Sequence, residues 1–156
     1  MRFVRADAIG TALFVVALAI GVPLRDQRWA QVLVIVTSML LFALGVVACL
    51  WAYVSALERS RSDELSVAGL FLVVGDVAPK PIKRQLAAML AVQIVAALVG
   101  AIIGAVGLSG NDVNAMAFAV LVPMFGLGMN ALWSVRYGHF GPRADRGIQP
   151  TNRKIG

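Results

Sequence analysis

Residues 86–137 decide the fold, and they read LAAMLAVQIVAALVGAIIGAVGLSGNDVNAMAFAVLVPMFGLGMNALWSVRY. The stretch holds two apolar runs of 23 residues, 86–108 and 115–137, which the short polar segment 109–114 joins. A helix rises about 1.5 Å per residue, so each run would be about 35 Å long and would cross the ~30 Å hydrocarbon layer of a bilayer. The sequence therefore predicts an antiparallel transmembrane hairpin.

Small and amide side chains recur every three or four residues along both runs, which places them on one face of each helix. We expect these helix-packing residues to meet in four opposed pairs: Gln93 with Asn130, Ala97 with Gly126, Gly100 with Pro123, and Gly104 with Ala119. Helices in lipid associate through close packing and polar pairing, and a Gln93–Asn130 hydrogen bond at matched depth would add to both. The alternative is that such stripes arise by chance in a chain rich in Ala and Gly.

The composition indicates a membrane protein. Of the 156 residues, 60% are hydrophobic and 14% are charged, whereas soluble domains have about 25% charged residues. Four apolar segments use more than half of the chain and leave no extramembrane domain with its own core. Cys49 is the single cysteine, which excludes an internal disulfide and a thiol-based metal cluster.

The predicted fold is all-α, an integral membrane four-helix bundle made of two antiparallel transmembrane hairpins. Its spans are residues 8–24, 30–57, 86–108 and 115–137 of one membrane domain. The connection 58–85 contains an apolar segment, 65–74, that is too short to span and is expected to lie at the interface or to be buried in a partner. A basic tail, 138–156, follows. An alternative for the N-terminus is a signal peptide cleaved near Ala17-Leu18-Ala19.

The basic residues predict the orientation. Under the four-span arrangement, the two termini and the loop 58–85 hold 12 of the 14 Lys and Arg residues, and the first outer loop holds the other two, Arg25 and Arg28. By the positive-inside rule, both termini and the middle loop are cytoplasmic in a bacterial plasma membrane. We expect anionic lipid headgroups or a protein partner, and no nucleic acid, to contact Lys80, Lys83, Arg84, Arg143 and Arg146.

The sequence predicts no catalytic, cofactor or metal site. Asp7 precedes the first predicted span, where it suits the positive end of a helix dipole. The interior of each predicted span lacks ionisable residues, which argues against ion-coupled transport of the kind performed by small multidrug exporters. His139 has no cysteine or carboxylate cluster beside it, and no serine has a base beside it.

Two stretches carry a resemblance to a family. The segments ELSVAGLFL (64–72) and GDVAP (75–79), and then LVPMFGLGM (121–129) and RYG (136–138), resemble a group of small four-span actinobacterial membrane proteins without assigned function. The similarity covers residues 57–143. It implies the source and the topology, and it brings no binding or catalytic residue.

Three functions remain open from the sequence. The first is a non-catalytic accessory or scaffold subunit of a larger membrane complex, respiratory or cell-envelope, which the small-residue faces and the short outer loops favour. The second is a small transporter or channel that acts as a homo-oligomer, with Gln93 and Asn130 lining its path. The third is a membrane enzyme acting on lipid, which would need a nucleophile or metal cluster that the sequence does not supply.

Overall fold

The computed structural model describes residues 2–60, 66–106 and 114–141. This part of the chain is helical and contains no strand: α1 Arg2–Gly21, α2 Arg28–Arg59, α3 Val67–Leu72, α4 Lys80–Ala105, a 3₁₀ helix Ala115–Leu121, and α5 Pro123–Tyr137. Four segments are long and apolar enough to cross a membrane, namely α1, α2, α4 and Ala115–Tyr137. The predicted helical class and the presence of four long apolar segments are therefore confirmed.

The first span begins earlier than predicted. We expected it to start at residue 8, but α1 runs from Arg2 to Gly21. The two arginines of its first turns do not prevent helix formation, because their side chains are exposed and can extend away from an apolar helix. The helix ends before Val22 because Pro23 disfavours helical backbone at the preceding residue. The consequence is that Asp7 lies inside α1 and is fully buried.

The third span both begins and ends earlier than predicted. The sequence predicts a start at residue 86, but α4 begins at Lys80, with Pro79 at its N-cap and Pro81 in its first turn. Proline is tolerated there because the first amides of a helix have no partner inside it. At the other end, Val106 is already extended, so α4 stops at Ala105 and does not continue to residue 108.

The fourth span has the predicted limits but is not one α-helix. Residues 115–121 form a 3₁₀ helix, and the α-helix starts at Pro123. Proline has no amide hydrogen and its ring crowds the preceding turn, so an α-helix cannot pass through this position undisturbed. The Val122 amide instead donates to Ala119 O over 3.0 Å, which closes a tighter turn.

The two hairpins pack so that α1 runs parallel to α4 and α2 runs parallel to α5. The most extensive contact is between α2 and α5. There, a Cβ atom on Gly128 would lie 2.6 Å from Gly45 O, so glycine is required for the approach of the two backbones. The main apolar core lies between the spans and includes Phe14, Val34 and Phe125.

Residues 66–74, the described part of the short apolar segment, are folded against their own chain. Residues 67–72 form α3, whose N-cap Ser66 accepts a hydrogen bond from the Gly69 amide at 3.0 Å. Leu70 packs with Ala52, Ala56 and Ala131, which places α3 on α2 and α5. Residues 61–65, the loop 107–113 and the tail from residue 142 lie outside the described residues.

Candidate functional site

Asp7, Thr11 and Gln93 form a buried polar cluster between α1 and α4, and the Gly126 amide of α5 also binds to it. Asp7 and Thr11 are one turn apart on α1, and Gln93 faces them from α4. Both Asp7 and Gln93 are 0% exposed, and Thr11 is 7% exposed. Burying an ionisable group inside an apolar bundle is costly, and such groups often have a functional role. This cluster is therefore the candidate functional site.

The side-chain amide of Gln93 holds the cluster together. Its nitrogen Nε2 donates to Asp7 Oδ1 at 3.0 Å and to Thr11 Oγ1 at 2.7 Å. Its oxygen Oε1 accepts a hydrogen bond from the Gly126 backbone amide at 3.1 Å. Because the nitrogen and the oxygen each have partners of the matching kind, the orientation of the amide group is fixed. Gln93 therefore links α1 to the beginning of α5.

The break in the fourth span explains why a backbone amide is available at this depth. The first amides of a helix have no intrahelical partner, and Gly126 is three residues after Pro123, where α5 begins. A Cβ atom on Gly126 would lie 2.5 Å from Gln93 Oε1, so only glycine lets the side chain reach the amide. The start of a helix also carries a partial positive charge, and Gln93 of the polar cluster contacts this first turn through the Gly126 amide.

Three buried polar atoms have no hydrogen-bond partner among the described residues: Asp7 Oδ2, Ser38 Oγ and Asn130 Oδ1. Most buried polar groups in proteins are hydrogen-bonded, so each exception needs an explanation. The carboxylate oxygen is the most costly of the three to leave unpaired, because its group can carry a charge.

The predicted Gln93–Asn130 hydrogen bond is wrong. Gln93 binds Asp7, Thr11 and the Gly126 amide, while Asn130 Nδ2 donates to Phe71 O at 3.1 Å. The alignment is shifted by about one helical turn, so Gln93 lies opposite Gly126, and a Cβ atom on Gly104 would meet Met116 instead of Ala119. The shift arises because α4 ends at Ala105, three residues before the predicted limit.

The other predicted packing residues lie at helix contacts, but not all in the predicted pairs. Ala97 and Ala119 belong to the main core. A Cβ atom on Gly100 would touch Leu18 of α1 at 3.0 Å, so this glycine faces the first span and not Pro123. Pro123 is half-buried at the start of α5.

The predicted lipid-contact residues lie partly in the described region. Lys80 and Arg84 are exposed in the first turns of α4, and Lys83 is half-buried there. Lys83 Nζ donates to Gly75 O at 3.3 Å. Arg143 and Arg146 lie outside the described residues.

The sequence analysis does not identify Asp7 and Thr11 as site residues. Its predicted first span begins at residue 8, so Asp7 falls outside it, whereas α1 begins at Arg2. The sequence does contain a signal, since the small residues Gly10, Ala17 and Gly21 recur at helical spacing along one face; the structure shows that this face is buried. Extending that spacing towards the N-terminus would have placed Asp7 on the inner face.

A second polar contact joins α2 to the end of α5. The two terminal nitrogens of Arg59 donate to Val135 O at 2.8 Å and to Gly138 O at 2.9 Å. The guanidinium carbon also lies 5.3 Å from the centre of the Phe140 ring. A cation at the carbonyl end of a helix is stabilising, so Arg59 has a structural role as a cap.

We find no group of three His, Cys, Asp or Glu side chains that could bind a metal ion, either in the cluster or elsewhere in residues 2–60, 66–106 and 114–141. No family model, no curated protein and no solved structure matches the chain.

Proposed function

We propose that this chain is a non-catalytic accessory or scaffold subunit of a larger bacterial plasma-membrane complex, with both termini in the cytoplasm. The supporting observation is an open apolar groove of about 650 Å³ along the side of the bundle. Partly exposed side chains of α1 and α2 form its walls, and Phe125 and Met129 of α5 form its floor. A neighbouring transmembrane helix could insert side chains into such a groove and gain the close packing that holds helices together in lipid.

Photo-crosslinking at the groove tests this proposal. Leu13 of α1 and Leu44 of α2 both line the groove, and they are 59% and 56% exposed. Either residue is replaced with p-benzoylphenylalanine, and the cells are irradiated. We expect both positions to crosslink to the same membrane protein, which should also copurify at fixed stoichiometry in mild detergent.

Two positions on α4 provide the matched control. Val95 and Ile102 are 60% and 66% exposed and lie outside the groove, so the same probe there should react with lipid. Lipid adducts from the groove positions as well, together with recovery of the free protein alone, would contradict the accessory-subunit proposal. An adduct with a second copy of this chain would favour the second candidate function instead.

A small transporter or channel acting as a homo-oligomer is the second candidate, and Asp7 is the observation that favours it. The strongest sequence argument against transport was the lack of an ionisable group inside the spans, and a fully buried carboxyl in α1 removes that argument. A span that is interrupted near the acid is also a feature of transporter binding sites. The proposed path runs past Asp7 and Gln93, since Asn130 does not face Gln93.

Flux measurements decide the second candidate. Purified protein in liposomes would conduct protons, and Asp7→Asn would reduce the flux at least tenfold. Asp26→Asn, in the exposed loop between α1 and α2, serves as the control with the same change in charge. Equal flux in protein-free and protein-containing liposomes would exclude transport of protons.

The family resemblance and the lipid contacts remain predictions. We propose that Lys80, Lys83 and Arg84 contact anionic headgroups, which their position in the first turns of α4 supports.

A further inference from the structure

We propose that Asp7 is a proton-binding site and that Gln93 couples the presence of this proton to the first turn of α5. The inference concerns the interior of a single chain. It requires neither a partner protein nor a transported substrate, so it stands independently of the two functions proposed above.

The hydrogen bonds of the carboxyl group carry the first step. Asp7 Oδ1 accepts from Gln93 Nε2, while Oδ2 is fully buried and has no partner among the described residues. An ionised carboxylate only accepts hydrogen bonds, whereas a protonated one also donates. The two protonation states therefore place opposite demands on the atoms around Oδ2, and no other described group satisfies this oxygen in either state.

A proton fits this site better than a metal cation. Gln93 turns its nitrogen towards Asp7 and Thr11, because its oxygen is engaged by the Gly126 amide. An N–H group that points at the carboxyl repels a cation and supplies no ligand oxygen. The remaining oxygens, those of Asp7 and Thr11, are too few for the six or more ligands that divalent cations such as Ca²⁺ or Mg²⁺ take (about six to eight for Ca²⁺).

In the described part of the chain, no basic side chain forms an ion pair that would neutralise an ionised Asp7. The elements packed against α1 carry their charged residues in terminal turns: Arg28, Glu58 and Arg59 on α2, Lys80, Lys83 and Arg84 on α4, and Arg136 on α5. The other titratable groups of these helices are Cys49, Tyr53 and Tyr137, and none of them hydrogen-bonds to Asp7. On α1 itself, Arg2 and Arg5 are exposed.

Gln93 provides the coupling. One amide group contacts the carboxyl through its nitrogen and the Gly126 amide through its oxygen. A change in the strength of the Gln93–Asp7 hydrogen bond polarises or rotates the side-chain amide of Gln93. This changes the hydrogen bond between Gln93 Oε1 and the Gly126 backbone amide. The first turn of α5 can respond because it is separated from the preceding 3₁₀ helix at Pro123, and because its partial positive charge interacts differently with a neutral and an ionised acid.

Solid-state NMR of the full chain in lipid bilayers tests the proposal. The ¹³C shift of the Asp7 carboxyl reports the proton, and the ¹⁵N shift of the Gly126 amide reports the first turn of α5. We expect both resonances to move with pH and to share one midpoint. The amide of Gly138, which donates to Ser134 O, should not follow that midpoint.

Two variants separate the site from the coupling. Asp7→Asn keeps the size and the acceptor oxygen but cannot bind the proton, so the Gly126 shift should become independent of pH. Gln93→Leu should leave the titration of Asp7 in place and abolish its effect on Gly126. The wild-type comparison decides the matter even where a variant fails to fold: a constant Asp7 carboxyl shift across the pH range in which the protein stays folded overturns the site, and two different midpoints overturn the coupling.

Discussion

At the scale of single residues, glycines and buried polar atoms determine how closely the helices approach. Gly126 is the clearest case, because a Cβ atom there would come within 2.5 Å of Gln93 Oε1 and 3.1 Å of a Leu90 methyl group. The neighbouring side chain is itself held by Asp7 and Thr11, so it cannot move aside without losing those hydrogen bonds.

We therefore expect Gly126→Ala to destabilise the protein by about 1–3 kcal/mol, the usual cost of overpacking a closely packed contact. Thermal unfolding in detergent measures the effect. Gly141→Ala is the control, since no atom lies within 4 Å of a Cβ atom placed there. Equal stability of the two variants would mean that Gln93 does not occupy the observed position.

The Arg59 cap gives a second prediction at this scale. Arg59→Ala leaves Val135 O and Gly138 O without their guanidinium partner, and losing hydrogen bonds to a charged group costs about 1–3 kcal/mol. Hydrogen exchange should become faster for the amides at the end of α5. The same measurement on Arg136→Ala, whose side chain is exposed, should show little change; a similar loss in both variants would contradict the capping role.

The sequence alone identifies one member of the polar cluster, Gln93, but not Asp7 or Thr11. Gln93 was identified because an amide in an apolar run stands out and its spacing places it with Ala97 and Gly100 on one face. Asp7 was not, because charge close to the N-terminus resembles a flanking residue. Its partner Thr11 and the Gly126 amide depend on how three helices meet, which local spacing does not specify.

At the scale of elements, the interrupted fourth span controls the alignment of the second hairpin. A 3₁₀ helix rises about 2.0 Å per residue instead of about 1.5 Å, so residues 115–121 cover more depth than an α-helix of the same length. Together with the early end of α4, this places Gly126 opposite Gln93 and Gly104 beside Met116.

Cysteine crosslinking measures this alignment. In a Cys49→Ala background, the pair Gly104→Cys and Met116→Cys should crosslink within one chain. A Cβ atom on Gly104 would lie 2.6 Å from Met116 Cβ, so a shift of about 1 Å between the helices brings the two Cβ atoms to the separation of about 3.5–4.5 Å found in disulfides. The pair Ala97→Cys and Gly126→Cys represents the alignment one turn away and should crosslink at least tenfold more slowly. The reverse order of rates would restore the alignment expected from the sequence.

The elements themselves were largely predictable, because four long apolar runs separated by polar residues allow few other structures. Their ends were harder to place. Proline usually breaks a helix, yet Pro79 and Pro81 lie at the start of α4, where their missing amide hydrogens cost nothing. Pro123 interrupts a span, and whether a proline bends or breaks a helix depends on its packing.

At the scale of the whole molecule, the charged side chains of the described residues lie in terminal turns and loops, with Asp7 as the exception. The first loop between α1 and α2 contains Asp26, and the connection between α3 and α4 contains Asp76, both exposed at opposite ends of the bundle. Twelve of the 14 basic residues belong to the segments at the Asp76 end or to the chain termini.

This separation predicts the orientation in the membrane. With Cys49→Ala as the background, Asp26→Cys should react with a membrane-impermeant maleimide added to intact cells. Asp76→Cys should react only after the membrane is permeabilised, and labelling of both in broken cells controls for accessibility. Labelling of Asp76→Cys from outside would reverse the proposed topology.

The length of α2 determines whether the contact between Arg59 and the end of α5 lies inside or outside the hydrocarbon layer. Its 32 residues span about 48 Å, and even a steep tilt of about 40° places only about 26 of them within a ~30 Å hydrocarbon layer. Roughly the last six, including Ala56 and Arg59, would then project into the aqueous boundary with α3 packed against them. The strength of the Arg59 cap would therefore depend on the ionic strength of the adjacent aqueous phase. In a thicker membrane, this turn would lie within the hydrocarbon layer and lose its contact with water.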